Sequence, residues 1–435
     1  MAATPTHELY RILTEESDGR VCRDIPEEAC DEQPGNFVKH VVSLAATKTG
    51  DGLADPKLVL SWLLGALGAP AWQVGLLVPV REAGALLPQL GISAWIRARP
   101  RRKWVWASAS AGQGTAVLGM AVAATVLDGA AAGYAILGCL VVFALFRSAA
   151  SVSYKDVLGK TVSKSTRGTA TGTAGSVASS LVLLFGVLVT VGLLPRSVET
   201  VTGALAVAGL LWLVAGSVFV TLREAAGATD GGGRPIEVVR EQFGLLVEDP
   251  QLTRFILVRG LLLATALAPP FLLALAGARS SGLGDFGPFV AASSTAAVVS
   301  AYVWGRLADG SSRQVLVRAS LLAAAPLALV AALAWMDGDV LAGPGVLPGL
   351  LFVLMVAYQG VRVGRSTHIV DMADERTRAA YVALSNTAVG VLLLVGSGFG
   401  VLAQAAGEAA VLAVFAAMCL GASVLAVGLE DVQAA

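Results

Sequence analysis

The chain has 435 residues, 55% hydrophobic and only 14% charged, with 31 lysines and arginines balanced by 31 aspartates and glutamates. Soluble domains carry about a quarter charged residues, so a large soluble enzyme is excluded, and a formal charge of zero implies no bulk attraction to nucleic acid. Apolar residues gather in blocks of about 18 to 27, the pattern of a polytopic helical protein surrounded by a lipid bilayer.

Residues 1–36 form an acidic, polar tail with a helix-compatible piece near 25–30, expected to be cytoplasmic and partly ordered against the rest. It has no apolar core segment of the secretory kind, so targeting is expected to come from the inserted helices. Cys22 and Cys30 lie there with no histidine beyond His7, too few ligands for a metal site, while Cys139 and Cys419 fall inside apolar spans as packing residues.

The first span, 41–67, carries Lys48, Asp51, Asp55 and Lys57. A charge in hydrocarbon costs about 2.5–3.5 kcal/mol even on the lenient insertion scale, so these groups are expected to face the protein interior. Lys48 and Asp55 are seven positions apart and nearly superpose on one helical face, with Asp51 about 40° further round. Pro56 removes a hydrogen bond to the Gly52 carbonyl with Gly50 close by, so a kink or break is expected there.

The second span, ending near 96, holds Arg81 and Glu82. Neighbours on a helix diverge by about 100°, so the two are not expected to satisfy one another, and Asp51, Asp55 or Lys48 is the pool of partners. Spans follow at 104–127, at 132–153 with Arg147 deep inside, at 168–194 and at 201–222. The fifth opens with Gly168, Gly172 and Gly175, a spacing that lets helices approach closely and slide. The stretch 223–252 holds a glycine run at 231–233 and an amphipathic segment at 236–247, and reads as a linker.

Six further spans are expected at 255–276, 286–307, 315–335, 346–364, 379–402 and 409–429. Arg259 in the seventh is expected to snorkel to the membrane surface. Tyr358 and Gln359, mid-span in the tenth, are candidates for a substrate or for a neighbouring helix, and His368 lies near the rim. The segments are therefore 1–36 as tail, 37–222 as a first six-helix bundle, 223–252 as cytoplasmic linker and 253–435 as a second bundle. Basic residues crowd the connections on the side of the tail, from Arg97, Arg99, Arg101, Arg102 and Lys103 to Lys155, Lys160, Lys164, Arg167, Arg313, Arg376 and Arg378. This predicts both termini in the cytoplasm and a multi-pass plasma (inner) membrane protein.

The halves repeat. Gly91 is followed by Trp95 and Arg99, and Gly305 at the same offsets by Asp309 and Arg313; Arg147 precedes Asp156 by nine residues, as Arg362 precedes Asp371. At these residues the chain resembles the major facilitator superfamily. Gly305-Arg-Leu-Ala-Asp309-Gly-Ser-Ser-Arg313 is similar to that family's loop signature. Its first-half copy, Gly91 to Lys103, keeps the basic run but has Trp95 in place of the aspartate. Asp371 with Arg378 resembles the family's acid–arginine pair, matched by Asp156 and Arg167 with four extra residues between them.

The resemblance implies an all-α integral membrane protein of twelve transmembrane helices in two pseudo-symmetric six-helix bundles. It also implies a secondary active transporter of a small molecule by alternating access, with no cofactor and as a monomer. Lys48, Asp51, Asp55, Arg81, Glu82, Arg147, Tyr358 and Gln359 are the candidates for the substrate and ion path. Gly91, Arg99, Gly305, Asp309, Arg313, Asp156, Arg167, Asp371 and Arg378 are the candidates for gating. Asp51, Asp55 and Glu82 make proton coupling an expectation, and mixed polarity favours an amphipathic or zwitterionic cargo. A phosphate-cradling Gly-x4-Gly-Lys-Ser/Thr motif is absent, so ATP is not the direct driver. A transporter-like receptor or sensor is the alternative; a membrane-embedded enzyme is the weaker one, because three scattered histidines offer no catalytic constellation.

Overall fold

The structure is a computed structural model that describes residues 5–14, 30–227, 249–279, 286–336, 338–343, 345–373 and 378–433. The linker's glycine run and amphipathic segment, and the expected helical piece before Cys30, lie outside these residues. Among the described residues the chain is helical, with no strand. A short α1 (Pro5–Thr14) precedes α2 (Gln33–Leu53) and α3 (Val59–Ala66), then α4 (Ala71–Leu86) and α5 (Gln89–Arg97). Next come α6 (Lys103–Val126), α7 (Gly129–Thr161), α8 (Lys164–Thr190) and α9 (Val198–Val220). The second half contains α10 (Pro250–Leu261), α11 (Ala264–Arg279), α12 (Phe286–Gly310), α13 (Ser312–Met336), α14 (Val346–Met372), α15 (Arg378–Gly396), α16 (Gly398–Ala406) and α17 (Glu408–Val427).

Nine helices among the described residues are long and apolar enough to cross a membrane, which makes this a multi-pass membrane protein. Three expected spans miss that mark, the first two for physical reasons. The first and second are charged and broken, at residues 54–58 and at Pro88, and the eighth counts only over Phe286–Ser300. Exposed Val, Leu and Phe side chains cover the outer faces, with Trp95 and Trp104 at one end and Tyr134 and Trp335 at the other, as in an interfacial aromatic belt.

The first helix begins at Gln33, earlier than the apolar run suggested, because Pro34 suits a first helical turn and Phe37 is wholly buried. The ring of Tyr10 in α1 packs edge-on against Phe37 at 5.2 Å, and Gln33 Nε2 donates to the Tyr10 hydroxyl at 2.6 Å. The tail helix is thus fastened to α2. The break at Pro56 is capped rather than frayed. The Asp55 carboxylate accepts from the backbone N–H of Lys57 at 2.8 Å and of Leu58 at 3.2 Å, while Ser61 Oγ donates to the Pro56 carbonyl at 2.6 Å. Asp55 therefore does not continue the face that carries Lys48, because the helix ends at Leu53.

The apolar core is distributed unevenly along the helices. Thr190 lies beside Gly287, and Gly186 beside Ala291, so α8 and α12 run antiparallel with their connections to the terminal regions at a common end. At the opposite, far end one continuous cluster joins both halves: Leu60, Leu63, Leu64 and Trp212 with Phe271, Phe286, Leu393 and Phe415. Toward the end that holds the termini the core splits. Trp106, Val157 and Phe219 form one cluster in the first half, and Phe255, Trp304, Leu316 and Ile369 another in the second.

Two seams at the far end are held by contacts that leave no room for side chains. A Cβ on Gly75 would sit 2.7 Å from the Cα of Gly400, and one on Gly186 would sit 2.8 Å from the Ala291 nitrogen. The glycines singled out in α8 behave otherwise. Gly168 and Gly172 meet nothing within 4 Å, and Gly175 meets only the Lys48 ammonium, at 3.3 Å. They border open space instead of a helix seam, which corrects the reading from spacing.

Gly75→Ala therefore overpacks the far seam, at a cost of about 1–3 kcal/mol. Gly168→Ala is neutral or slightly stabilising, because alanine suits a helix better where nothing is displaced. Melting temperatures of the two variants in the same detergent check this contrast.

Candidate functional site

Three helices of the first half meet at Asp51, in the last turn of α2. Its Oδ1 lies 2.7 Å from Arg81 Nη2 of α4 and its Oδ2 lies 2.7 Å from Arg147 Nη2 of α7. Arg81 also reaches its neighbour, Nη1 to Glu82 Oε1 at 3.1 Å. Helical divergence separates the two Cβ atoms, and Arg81 finds a partner in Asp51 from the expected pool; its long side chain also folds back far enough to reach Glu82. Asp51 and Arg81 are 17% and 13% exposed, against 34% for Arg147 and 36% for Glu82, so the cluster is shielded on one side and open on the other.

Lys48 turns away from this carboxylate and donates to the Thr171 carbonyl of α8 at 2.9 Å. Lys57, placed just after the break, is buried and crosses to the second half: its Nζ lies 2.8 Å from the Tyr358 hydroxyl and 4.0 Å from that ring's centroid. Gln359 Oε1 accepts from Arg362 one turn along its own helix, at 3.2 Å. Arg259 is 8% exposed and does not snorkel; its guanidinium is bonded to Ser385 and, at 3.3 Å, to Asn386 of α15. His368 is buried, bonded through Nδ1 to Ser312 at 2.9 Å and stacked on Phe255. Among the described residues no three His, Cys, Asp or Glu side chains gather as a metal site.

The loop signatures form a second group at the terminal end. Asp156 is held by Arg102 and, at 2.8 Å, by Lys160. Arg167 donates to the carbonyls of Val162 and Gly159, at 2.8 and 2.7 Å. The side chain of Glu224, fully buried, accepts from the backbone N–H groups of Arg102 and Lys103 at 3.1 and 2.8 Å and from Lys160 at 3.4 Å. Arg99 is exposed and stacks over Trp95 at 4.7 Å, and neither Gly91 nor Gly305 has a neighbour within 4 Å that would bar a side chain.

In the second half Arg313 pairs with Asp431 at 3.1 Å, Ser311 donates to the same carboxylate at 2.8 Å, and Gln433 donates to Asp371 at 2.7 Å. The side chains of Asp309 and Arg378 lie outside the described residues. The arrangement in the two halves is parallel. An acidic residue four positions past the end of α9, Glu224, folds back onto the loop before α6, and one four positions past the end of α17, Asp431, folds back onto the loop before α13.

Sequence reasoning noted Lys57 only as part of the charged first span and did not single out Glu224, Arg365, Asp431 or Gln433. The signal was there for Arg365, seven positions after Tyr358 and so on the same helical face as Tyr358 and Arg362. Glu224 and Asp431 could have been found from their shared offset beyond an apolar span.

No family model matches the sequence, and no curated protein matches it. Solved structures do match in shape. The nucleoside transporter NupG superposes with a TM-score of 0.70 at 13% identity, covering 90% of this chain and 99% of that one. A D-xylose-proton symporter gives 0.69 at 10% identity over 91% and 98%. A POT family transporter in complex with a thioalcohol-conjugated peptide gives 0.70 at 10% identity over 93% and 97%.

Asp51→Ala leaves Arg81 and Arg147 facing one another. Removing one partner of a buried pair costs about 3–5 kcal/mol, and about 2 here because Arg147 is partly solvated. Adding Arg147→Met to Asp51→Ala recovers part of that loss. Chemical denaturation of the two single variants and the double variant checks the coupling, and strictly additive losses would contradict it.

Proposed function

We propose that this chain, which has the fold of the major facilitator superfamily transporters, is a secondary active transporter of a small molecule working by alternating access. Twelve transmembrane helices in two pseudo-symmetric six-helix bundles, 37–222 and 253–435, rock about the central charged cluster, joined by the linker 223–252 and preceded by the tail 1–36. It works as a monomer in the plasma (inner) membrane with both termini in the cytoplasm, where the basic connections belong.

The observation that carries this reading is the uneven core. One apolar cluster is shared by both halves at the far end, while separate clusters serve each half at the terminal end. Such a packing holds the halves together at the far end and leaves them free to part at the other, and the alternative state needs the reverse. The path between runs past Lys48, Asp51, Asp55, Arg81, Glu82 and Arg147 on one wall and Tyr358 and Gln359 on the other. The Lys57–Tyr358 contact ties the walls together at mid-path and must part when they separate. Neighbours in shape include a nucleoside transporter and a xylose-proton symporter, which supports a small solute as cargo and a proton as the coupling ion. Asp51 and Glu82 are the carboxylates we assign to that coupling. At the terminal end Asp156, Arg167, Arg99, Gly91, Gly305, Asp309, Arg313, Asp371 and Arg378 serve the gate.

Two spin-label pairs test the motion without any cargo, on a background in which the four cysteines are replaced. Ala69→Cys with Gly277→Cys spans the far end, and Gly168→Cys with Ser366→Cys spans the terminal end. In nanodiscs over pH 5 to 8, about the range of a physiological proton gradient, the far-end distance lengthens as the terminal-end distance shortens. A single unchanging distance at both ends overturns alternating access. Once a cargo is known, Asp51→Asn should abolish uphill transport while leaving insertion intact, and normal proton-driven flux would remove Asp51 from coupling.

A further inference from the structure

Within that transporter reading, we infer that the cargo is an organic anion, a single negative head group carried on an apolar body. The first half contributes Lys48, Lys57, Arg81 and Arg147 to the cluster. The second contributes Arg259, Arg362 and Arg365; Arg362 is in electrostatic reach of Lys48 and Tyr358, and Arg365 of Glu82, Tyr358 and Arg259. Tyr358, Arg362 and Arg365 follow at intervals of four and three residues, so they line one stripe of α14.

Against these cations stand three carboxylates, and all three are committed. Asp51 is taken by Arg81 and Arg147, Glu82 by Arg81, and Asp55 by the backbone it caps. The hydrogen-bond partners of the other cations are neutral: a carbonyl for Lys48, a phenol for Lys57, a serine and an amide for Arg259, and an amide for Arg362; the carboxylates in electrostatic reach of Lys57, Asp55 and Glu82, are the ones already committed. Arg365 is half-buried on the same stripe.

The protein as a whole is electrically balanced, so this surplus is local. Low-dielectric walls focus such a field, and an uncompensated cation between them is costly until a counter-ion arrives. Guanidinium groups suit a planar anion, which they can grip through two parallel hydrogen bonds.

The apolar body has its own place. One turn beyond Lys57, Ser61 and Trp62 border a chamber of about 320 Å³ between the halves at the far end. Its walls include Phe271 and Phe286, with the Trp62 and Phe286 rings 4.8 Å apart, and among the described residues Glu408 is the one charged residue in its lining. A head group near Lys57 would leave a hydrocarbon or aromatic body to fill that chamber, whereas a fully hydrated inorganic ion gains nothing there.

A matched series tests this: 4-phenylbutyrate, 4-phenylbutylammonium, 4-phenylbutanol and sulfate, titrated by calorimetry into the full chain in nanodiscs at constant ionic strength. Phenylbutyrate is expected to bind at least about tenfold more tightly than the other three. Arg365→Gln should weaken it by about tenfold, and Arg365→Lys, which returns the charge without the two-pronged grip, should restore part of the loss, which separates charge from mere packing. Equal binding of the ammonium or the alcohol, equal binding of sulfate, no binding of phenylbutyrate, or indifference to Arg365→Gln each overturns the inference. The spin-label distances need no ligand, so anticorrelated distances together with a site that prefers the ammonium would sink the anion while leaving the transporter reading in place.

Discussion

One carboxylate gripped by two arginines sets the geometry of the first half. Asp51 lies on α2, Arg81 on α4 and Arg147 on α7, and both contacts are 2.7 Å. Inside a membrane none of these charges can turn to lipid cheaply, so the three helices are obliged to keep one another company. The helix break then follows as a second constraint. Because Pro56 stops the helix a turn after Asp51, the next segment can redirect, and it carries Lys57 across to Tyr358 of the other half. A continuous helix would have presented Lys57 to a different neighbour.

The same economy governs apolar packing. Where glycine meets glycine, at Gly75 and Gly400, the halves touch backbone to backbone and share one core. Where glycines face nothing, at Gly168 and Gly172, the helix borders space. Both kinds look alike as residues in an apolar helix; only the opposing surface distinguishes them. The buried aromatic clusters around Phe219 and Phe255 keep each half intact at the end where the shared core is missing.

Much of this was legible in the residues. Helix positions came from apolar run length, and the break from Pro56. That Asp51 and Arg81 had to find partners followed from their cost in hydrocarbon. What composition could not supply was the choice among partners: Asp55 was grouped with Lys48 by helical geometry that ends two residues before it, and Arg81 proved long enough to reach Glu82 as well as Asp51. Arg259 was assigned to the surface because it lies near a helix end, yet Ser385 and Asn386 of a neighbouring helix offered polar atoms that hold it inside. The Arg259 miss concerns a long side chain whose destination depends on a helix distant in sequence, whereas the Asp55 miss is local, a cap created by the helix break itself. The neighbours in shape, at 10–13% identity, carry the same lesson, since a similar path of the backbone is built there from mostly different side chains.

The fold-back of Glu224 onto the Arg102–Lys103 backbone, and of Asp431 onto Ser311 and Arg313, gives each stretch of the chain its own closing clasp. Among the described residues the contacts of each clasp come from its own stretch. Two separately produced pieces, one ending after the Glu224 clasp and the other beginning before Asp249, would each bring its own seal and meet through the far-end core.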